Sequence, residues 1–356
     1  MNVHSLGAID CDIHPQLPSL KTLLPYLNDH WREAIVQRGI HELTSISYPE
    51  NSPLTVRPDW RRDGVKAASR LEFLQKDVLD PFGESHAILN CLYGVQLLFS
   101  EDMAAAFSNA LNTWIAREWL DRDPRLRASI VVPLQNPQMA AEEIERWAGD
   151  KRFVQVLLLV MDQMPLGKRY YWPIYEAAQR HELTVGIHAG SSYRYPVTAV
   201  GWPSFVAEDY AAQSPAFQSA LTSLICEGVF SKYPKLKVAM LESGFTWLPA
   251  HLWRLDKYWR GLRMEIPWVD RSPTDIVRTN IRFSLQPADA PPTETDFNRL
   301  MDHMDSDELL LFSTDYPHWQ FDGDDVIPDG LSTDLIRKIA IDNPLATYPR
   351  LKEGVE

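Results

Sequence analysis

The sequence predicts a single (β/α)8 barrel of the TIM type with long insertions after its first and fifth strands, and three observations predict it. Short apolar runs alternate along the chain with longer stretches of helical periodicity, the pattern of repeated parallel βα units. The runs number about eight, the count a closed barrel needs. Several are near-continuous hydrophobics, as strands covered on both faces should be, whereas half-exposed antiparallel strands would alternate.

In chain order, the strand candidates are Leu6 to Asp12, His86 to Leu92, Leu126 to Val132, Phe153 to Val160, Leu183 to His188, Leu236 to Glu242, Asn280 to Leu285 and Leu309 to Thr314. Helix candidates lie between them at Ala104 to Trp119, Met139 to Ala148, Ile174 to His181, Phe217 to Phe230 and Thr333 to Ile341, each long enough to cover a strand pair. Two connections exceed ordinary βα loops. One, Pro15 to Glu84, holds a helix candidate (Leu20 to Gln37) and then a stretch rich in Pro and Arg through Pro49, Pro53, Pro58 and Trp60. The other, Ala189 to Ser214, carries Tyr193, Tyr195, Trp202, Phe205 and Tyr210, and so many aromatics on a loop call for something to cover. No repeat, low-complexity tract or linker divides the chain, so residues 1–356 read as one barrel domain.

Composition removes several function classes. The chain has 356 residues, 45% hydrophobic and 23% charged, an ordinary balance for a buried core. A formal net charge of -13 without a basic face argues against nucleic acid as a partner. No segment reaches the roughly 20 apolar residues of a membrane helix. Cys11, Cys91 and Cys226 are widely spaced and odd in number, which fits neither a disulfide framework nor a zinc knuckle; a reducing, cytoplasmic location is the expectation. The first residues, MNVHSLGAIDCDIHP, show no signal peptide.

Chemistry is concentrated where strands end. Barrel enzymes assemble their sites at the C-terminal ends of separate strands. The first run closes on Asp12-Ile13-His14, and in extended chain residues two apart face one side, so both side chains can meet one ion. The fifth closes on His188, the sixth on Glu242, and the eighth leads into Asp315 with His318 three residues later. Each alone is weak; together, four or five ligand-type side chains at one end of independent strands predict a metal centre. Imidazoles and carboxylates without thiolates suit zinc first, with manganese or iron as alternatives.

The segments Ile9-Asp10-Cys11-Asp12-Ile13-His14-Pro15, Gly186-Ile187-His188-Ala189-Gly190, Glu242-Ser243-Gly244-Phe245-Thr246-Trp247-Leu248-Pro249 and Phe312-Ser313-Thr314-Asp315-Tyr316-Pro317-His318-Trp319 resemble the amidohydrolase superfamily. Within it, they resemble the branch related to aminocarboxymuconate-semialdehyde decarboxylase and γ-resorcylate decarboxylase. The resemblance implies that Asp12, His14, His188 and Asp315 are metal ligands, with Asp12 where relatives often carry His or Glu. It also implies a homodimer or higher oligomer. The fourth run lacks a lysine from Val156 to Val160, so the carbamylated lysine of the two-zinc hydrolases has no candidate there. Glu242 is the main departure from the branch, as a general base or a further ligand. Arg254 resembles the arginine with which relatives grip a substrate carboxylate, sometimes in a neighbouring subunit; a local ion pair with Asp256 or Glu242 is its alternative.

Three functions follow as expectations. The first is a decarboxylase or hydrolase acting on a small carboxylic acid, with one divalent ion polarising substrate oxygen or activating water, Glu242, Asp315 and His318 in catalysis, and Arg254, Tyr193 and Trp202 binding substrate. The second is an oxygenase with two non-haem iron or manganese ions, the second bridged by Glu242 and bound by His318. The third is a catalytically silent subunit paired with a paralogue. Trp247, Trp253 and Trp259 read as packing or dimer-contact residues. His4, His30, His41, His181 and His303 read as surface or cap residues, and His86 begins its strand at the end away from the site.

Overall fold

The computed structural model describes residues 6–46, 48–49, 56–318 and 326–354; His4, Pro53 and Trp319 lie outside them. Eight parallel strands follow one another in sequence order: β1 (Ile9–Ile13), β2 (His86–Leu89), β3 (Leu126–Val131), β4 (Phe153–Met161), β5 (Thr184–Ser191), β6 (Val238–Leu241), β7 (Ile281–Ser284) and β8 (Leu310–Leu311). Backbone bonds from Cys11 N to Phe312 O, Asp315 N to Asp12 O and His14 N to Tyr316 O join the first and last strands into a nearly closed barrel. Every position of β1, β3, β6 and β7 is buried, polar residues such as Asp10, Asp12, Arg127, Ser129, Arg282 and Ser284 included.

All eight runs are strands, with most of their ends trimmed. β8 is reduced to two residues because the chain beyond it turns to carry the Ser313–Asp315 segment across the barrel mouth. Around the strands run α1 (Asp29–Arg38), α2 (Glu101–Ile115), α3 (Pro137–Trp147), α4 (Trp172–Arg180), α5 (Val206–Cys226), α6 (Leu248–Leu262), α7 (Pro273–Asn280), α8 (Glu294–Met304) and α9 (Thr333–Arg337). Their starts are chemically marked. Asn28, Ser100, Asn136, Ser272, Thr293 and Ser332 each accept a bond from a first-turn amide, satisfying a donor the helix itself leaves open.

Two helix boundaries correct the sequence reading. The stretch Leu20 to Gln37 is not one helix: a 3-10 segment, Leu20–Tyr26, contains Pro25, and Asn28 then caps α1 afresh. α5 begins at Val206 rather than Phe217, running through Pro215, so the long connection after β5 is shorter than Ala189 to Ser214. A proline forgoes one backbone bond but does not end a helix held by packing. Phe217, Leu221, Leu224 and Ile225 supply that packing.

The C-terminal turn closes the floor of the barrel. Tyr348 and Leu351 pack with Ile9, Cys11, Ile88 and Val154, while Arg350 donates to carbonyls of Ala148, Phe153 and His181 at the starts of β4 and β5. With that end plugged, the C-terminal strand ends form the open face. Among the described residues, no helix is long and apolar enough to cross a membrane.

Candidate metal centre

Six ligand-type side chains meet at the C-terminal ends of four strands. A one-residue bulge between Asp10 and Ile13 brings Asp12 and His14 to the end of β1, and Asp10 secures it by accepting from Asp12 N and from Thr314 N and Oγ1. His188 comes from β5, Glu242 follows β6, and Asp315 and His318 follow β8. Glu242 and Asp315 have φ of 53° and 58°, a left-handed conformation that costs non-glycine residues energy and turns both carboxylates inward. Gly244, also left-handed, lets Asp289 approach and accept from Phe245 N and Thr246 Oγ1; an added Cβ would lie 2.5 Å from its carboxylate.

Distances show a set of converging lone pairs. His14 Nε2 lies 3.4 Å from Asp12 Oδ1, 3.3 Å from Glu242 Oε1 and 3.0 Å from Asp315 Oδ1. His188 Nε2 lies 3.0 Å from Glu242 Oε1 and 3.7 Å from Asp12 Oδ2. Both rings donate Nδ1–H to a backbone carbonyl, His14 to Asn90 and His188 to Ala189, which leaves each Nε2 lone pair facing the centre. His318 enters the other way round, with Nδ1 2.6 Å from Asp315 Oδ1 and its ring stacked on His14 at 4.7 Å.

The donors fit a cation. Asp12 Oδ2, His188 Nε2 and Glu242 Oε1 are buried without a properly aligned hydrogen-bond partner, an arrangement that is costly unless a positive charge completes it. The six residues divide into two overlapping quartets, Asp12, His14, His188 and Glu242, and His14, Glu242, Asp315 and His318. Electrostatics agree. Burial works against a charged His14 or His188, yet the surrounding carboxylates raise both imidazoles above their ordinary range. Burial likewise opposes a charged Glu242, but three imidazoles hold it well below the usual carboxylate range. Asp315 is raised by burial and by Glu242.

Four of the six, His14, His188, Glu242 and His318, open onto a cavity of about 340 Å³, with Asp12 and Asp315 behind them. Leu17, Leu43, Ile46, Leu92 and Val206 give it apolar walls, and the β1 insertion supplies much of its outer rim.

Tyr193 and Trp202 do not line this cavity; they brace residues that do. Tyr193 donates its hydroxyl to Ile46 O, and the Tyr48 ring lies 5.5 Å from Tyr193 and 5.2 Å from Trp202. Arg254 is exposed on α6 with its guanidinium over Tyr258, apart from the cavity of its own chain, and among the described residues neither Asp256 nor Glu242 forms an ion pair with it. Asp256 accepts from Thr274 instead. His86 stands at the far end of β2 as expected, and His181 caps α4 with Nε2 2.7 Å from Glu145.

Sequence reasoning missed Asn90. Its backbone carbonyl orients His14 and its side chain donates to Asp12 Oδ1 at 2.8 Å. The signal was present: Asn90 is the polar residue that ends the apolar run Ala87-Ile88-Leu89, at the same strand end as the ligands.

A model of the amidohydrolase family matches residues 9–350. The chain belongs to that family. Among characterised relatives, γ-resorcylate decarboxylase of Polaromonas sp. strain JS666 is 26% identical over 238 residues, 64% of this chain and 71% of the relative. The enzyme of the same name from Rhodococcus jostii is 25% identical over 240 residues, 63% and 70% of the two chains. Solved structures share the fold. An amidohydrolase from Mycobacterium avium subsp. paratuberculosis superposes with a TM-score of 0.72 at 21% identity, over 96% of this chain and 99% of the other. Polaromonas dihydroxybenzoic acid decarboxylase, solved with manganese and the inhibitor 2-nitroresorcinol, gives 0.70 at 20% identity, over 100% and 99%. In this amidohydrolase, then, family membership and the converging donors point independently to a metal-binding barrel.

Proposed function

We propose that the chain is a metal-dependent carboxy-lyase that removes CO2 from a small carboxylic acid. The observation that carries this reading is the set of orphaned inward-facing donors, Asp12 Oδ2, His188 Nε2 and Glu242 Oε1, at the base of a cavity with apolar walls. Support comes from relatives named as decarboxylases of hydroxylated benzoates.

Asp12, His14, His188 and Glu242 would hold one divalent ion. Zinc is the first choice and manganese or iron the alternatives, with the manganese in the Polaromonas structure in favour of the latter group. Such an ion supplies Lewis-acid polarisation of the substrate's carboxylate and a neighbouring oxygen. The chain's own residues do the rest. Apolar walls exclude water and lie against the body of the substrate. His318 faces the cavity, and although burial opposes its charge, the carboxylates of Asp315 and Glu242 beside it favour the protonated ring. When the bond to the carboxylate carbon breaks, CO2 leaves and the electron pair remains on the substrate carbon. With Nδ1–H held by Asp315, the Nε2 proton of His318 is delivered to that carbon, and solvent returns it. Asp315, 2.6 Å from Nδ1, positions the ring.

A second reading has a specific observation in its favour. The two quartets share only His14 and Glu242; an imidazole Nε2 has one lone pair, whereas a carboxylate can bridge. Asp315, His318 and a bridging Glu242 would then form a second site, and the chain would be a two-ion oxygenase. Ion count per chain separates the two. The decarboxylase itself is tested by following CO2 release from a panel of hydroxybenzoates with metal-loaded protein. Release that is lost in His318→Ala supports it, and no release across the panel opposes it.

We also propose a homodimer. Trp253, Tyr258 and Leu262 of α6 are about half exposed, an apolar surface suited to a second copy, which could bring Arg254 towards a neighbouring cavity. A cytosolic location fits three free cysteines.

A further inference from the structure

The cavity has a second polar pole besides the metal centre. Asp209, in the first turn of α5, borders it and is only 9% exposed. Its Oδ1 is buried without a hydrogen-bond partner, and Oδ2 has one long contact, 3.4 Å from Gln213 Nε2. The other carboxylate that lines the cavity outside the metal centre is different. Glu42 accepts from the Tyr93 hydroxyl at 2.6 Å and pairs with Lys66 at 3.4 Å, so its charge is already met.

Asp209 is held at a fixed place relative to the metal end. Gln213 accepts from the backbone amide of Gly190, two residues beyond His188, and donates from its other side-chain atom to Asp209. A line of contacts through Gln213 therefore joins the end of β5 to the start of α5. Burial raises the Asp209 pKa to about 6, the cost of desolvating a carboxylate with too few donors. No cation pairs with it among the described residues.

We infer that Asp209 is a specificity-determining residue: it accepts a hydrogen bond from a hydroxyl or amino group carried by the substrate at the end away from its carboxylate. The inference rests on the carboxylic-acid reading above and narrows it. The substrate class becomes small carboxylic acids bearing a distal hydrogen-bond donor. A donor arriving there gives Asp209 the partner it lacks, while an acceptor-only group meets an uncompensated carboxylate.

The test is calorimetric binding to metal-loaded protein of benzoate, 3- and 4-hydroxybenzoate, 3- and 4-(aminomethyl)benzoate, and 3- and 4-methoxybenzoate. Benzylamine, which has no carboxylate, is the separate probe of Asp209. Wild type is compared with Asp209→Asn, Asp209→Ala and His188→Ala, each checked for folding by its thermal melt. At least one donor-bearing acid should bind about tenfold tighter than benzoate, and its methoxy analogue should not. Asp209→Ala should reduce that advantage to within about twofold, whereas Asp209→Asn, whose amide oxygen still accepts, should keep it for hydroxyl and lose it for aminomethyl. Equal binding of donor and methoxy acids by wild type overturns the inference even if neither variant folds, as does an advantage that survives Asp209→Ala. Benzylamine binding that depends on Asp209 but not His188, with no benzoate bound, would uphold the Asp209 site and sink the carboxylic-acid reading instead.

Discussion

Asn90→Ala should weaken metal binding without touching a ligand. Asn90 is fully buried and its side chain makes four bonds, donating to Cys11 O at 3.2 Å and Asp12 Oδ1 at 2.8 Å and accepting from Ser129 Oγ at 2.5 Å and Gln155 Nε2 at 3.0 Å. The substitution keeps the backbone carbonyl that orients His14, so the expected effect runs through Asp12 alone. Loss of one outer partner of a ligand typically costs about 10–100-fold in metal affinity, roughly 1.4–2.7 kcal/mol. Fold stability should also fall, by about 2–4 kcal/mol, since Ser129 and Gln155 retain each other at 2.8 Å but lose their shared acceptor. Asn112→Ala is the matched control. Asn112 is equally buried and makes three bonds of 2.9 Å to Val131 and Glu143, remote from the centre. Competition against a fluorescent chelator gives affinity, and urea unfolding of metal-free protein gives stability. Both variants should lose stability while only Asn90→Ala loses affinity; metal binding within twofold of wild type in Asn90→Ala would refute the positioning argument.

Three further outcomes follow from the same geometry. Burial and the neighbouring Arg127 lower His86 to about pKa 4, so the unfolded chain takes up a proton between pH 6.5 and 4 that the folded chain refuses. Stability should therefore fall across that window by roughly 2–3 kcal/mol, and urea midpoints of His86→Gln should show a correspondingly flatter pH dependence. At Gly167 an added Cβ would lie 2.1 Å from the Ser223 backbone oxygen, so Gly167→Ala should cost about 3 kcal/mol or prevent folding; an unchanged melting temperature would contradict the close approach of that loop to α5. The double variant Trp253→Glu, Leu262→Glu should elute as a monomer on size exclusion where wild type elutes as a dimer, and equal elution of both would remove α6 from the proposed contact.

The barrel was legible because strands buried on both faces tend to be written as near-continuous apolar runs, as Val156–Val160 of β4 and Val238–Leu241 of β6 are. The convergence of Asp12, His14, His188, Glu242 and Asp315 was legible for a related reason: they stand at or just beyond strand ends, where a barrel gathers its site. What did not show was anything that depends on how elements pack. Pro215 reads as a helix breaker, yet α5 runs through it, which hid Asp209 in an imagined loop. Tyr193 and Trp202, read as substrate-binding, stand behind Tyr48 instead of lining the cavity, since ring packing across two loops has no signature in one sequence. Arg254 shows the limit of resemblance: the residue is present, while its own cavity lies elsewhere. The backbone role of Asn90 has no side-chain signature at all.

If one divalent ion sits among Asp12, His14, His188 and Glu242, the metal content of each chain will show it. Protein expressed in unsupplemented medium is assayed by plasma mass spectrometry as wild type, His188→Ala, Glu242→Ala and His318→Ala. On the one-ion reading, wild type and His318→Ala should each hold one ion, and His188→Ala and Glu242→Ala far less than one. Two ions in wild type falling to one in His318→Ala would contradict it and establish the two-ion centre, and a wild-type chain that retains no metal would contradict both readings.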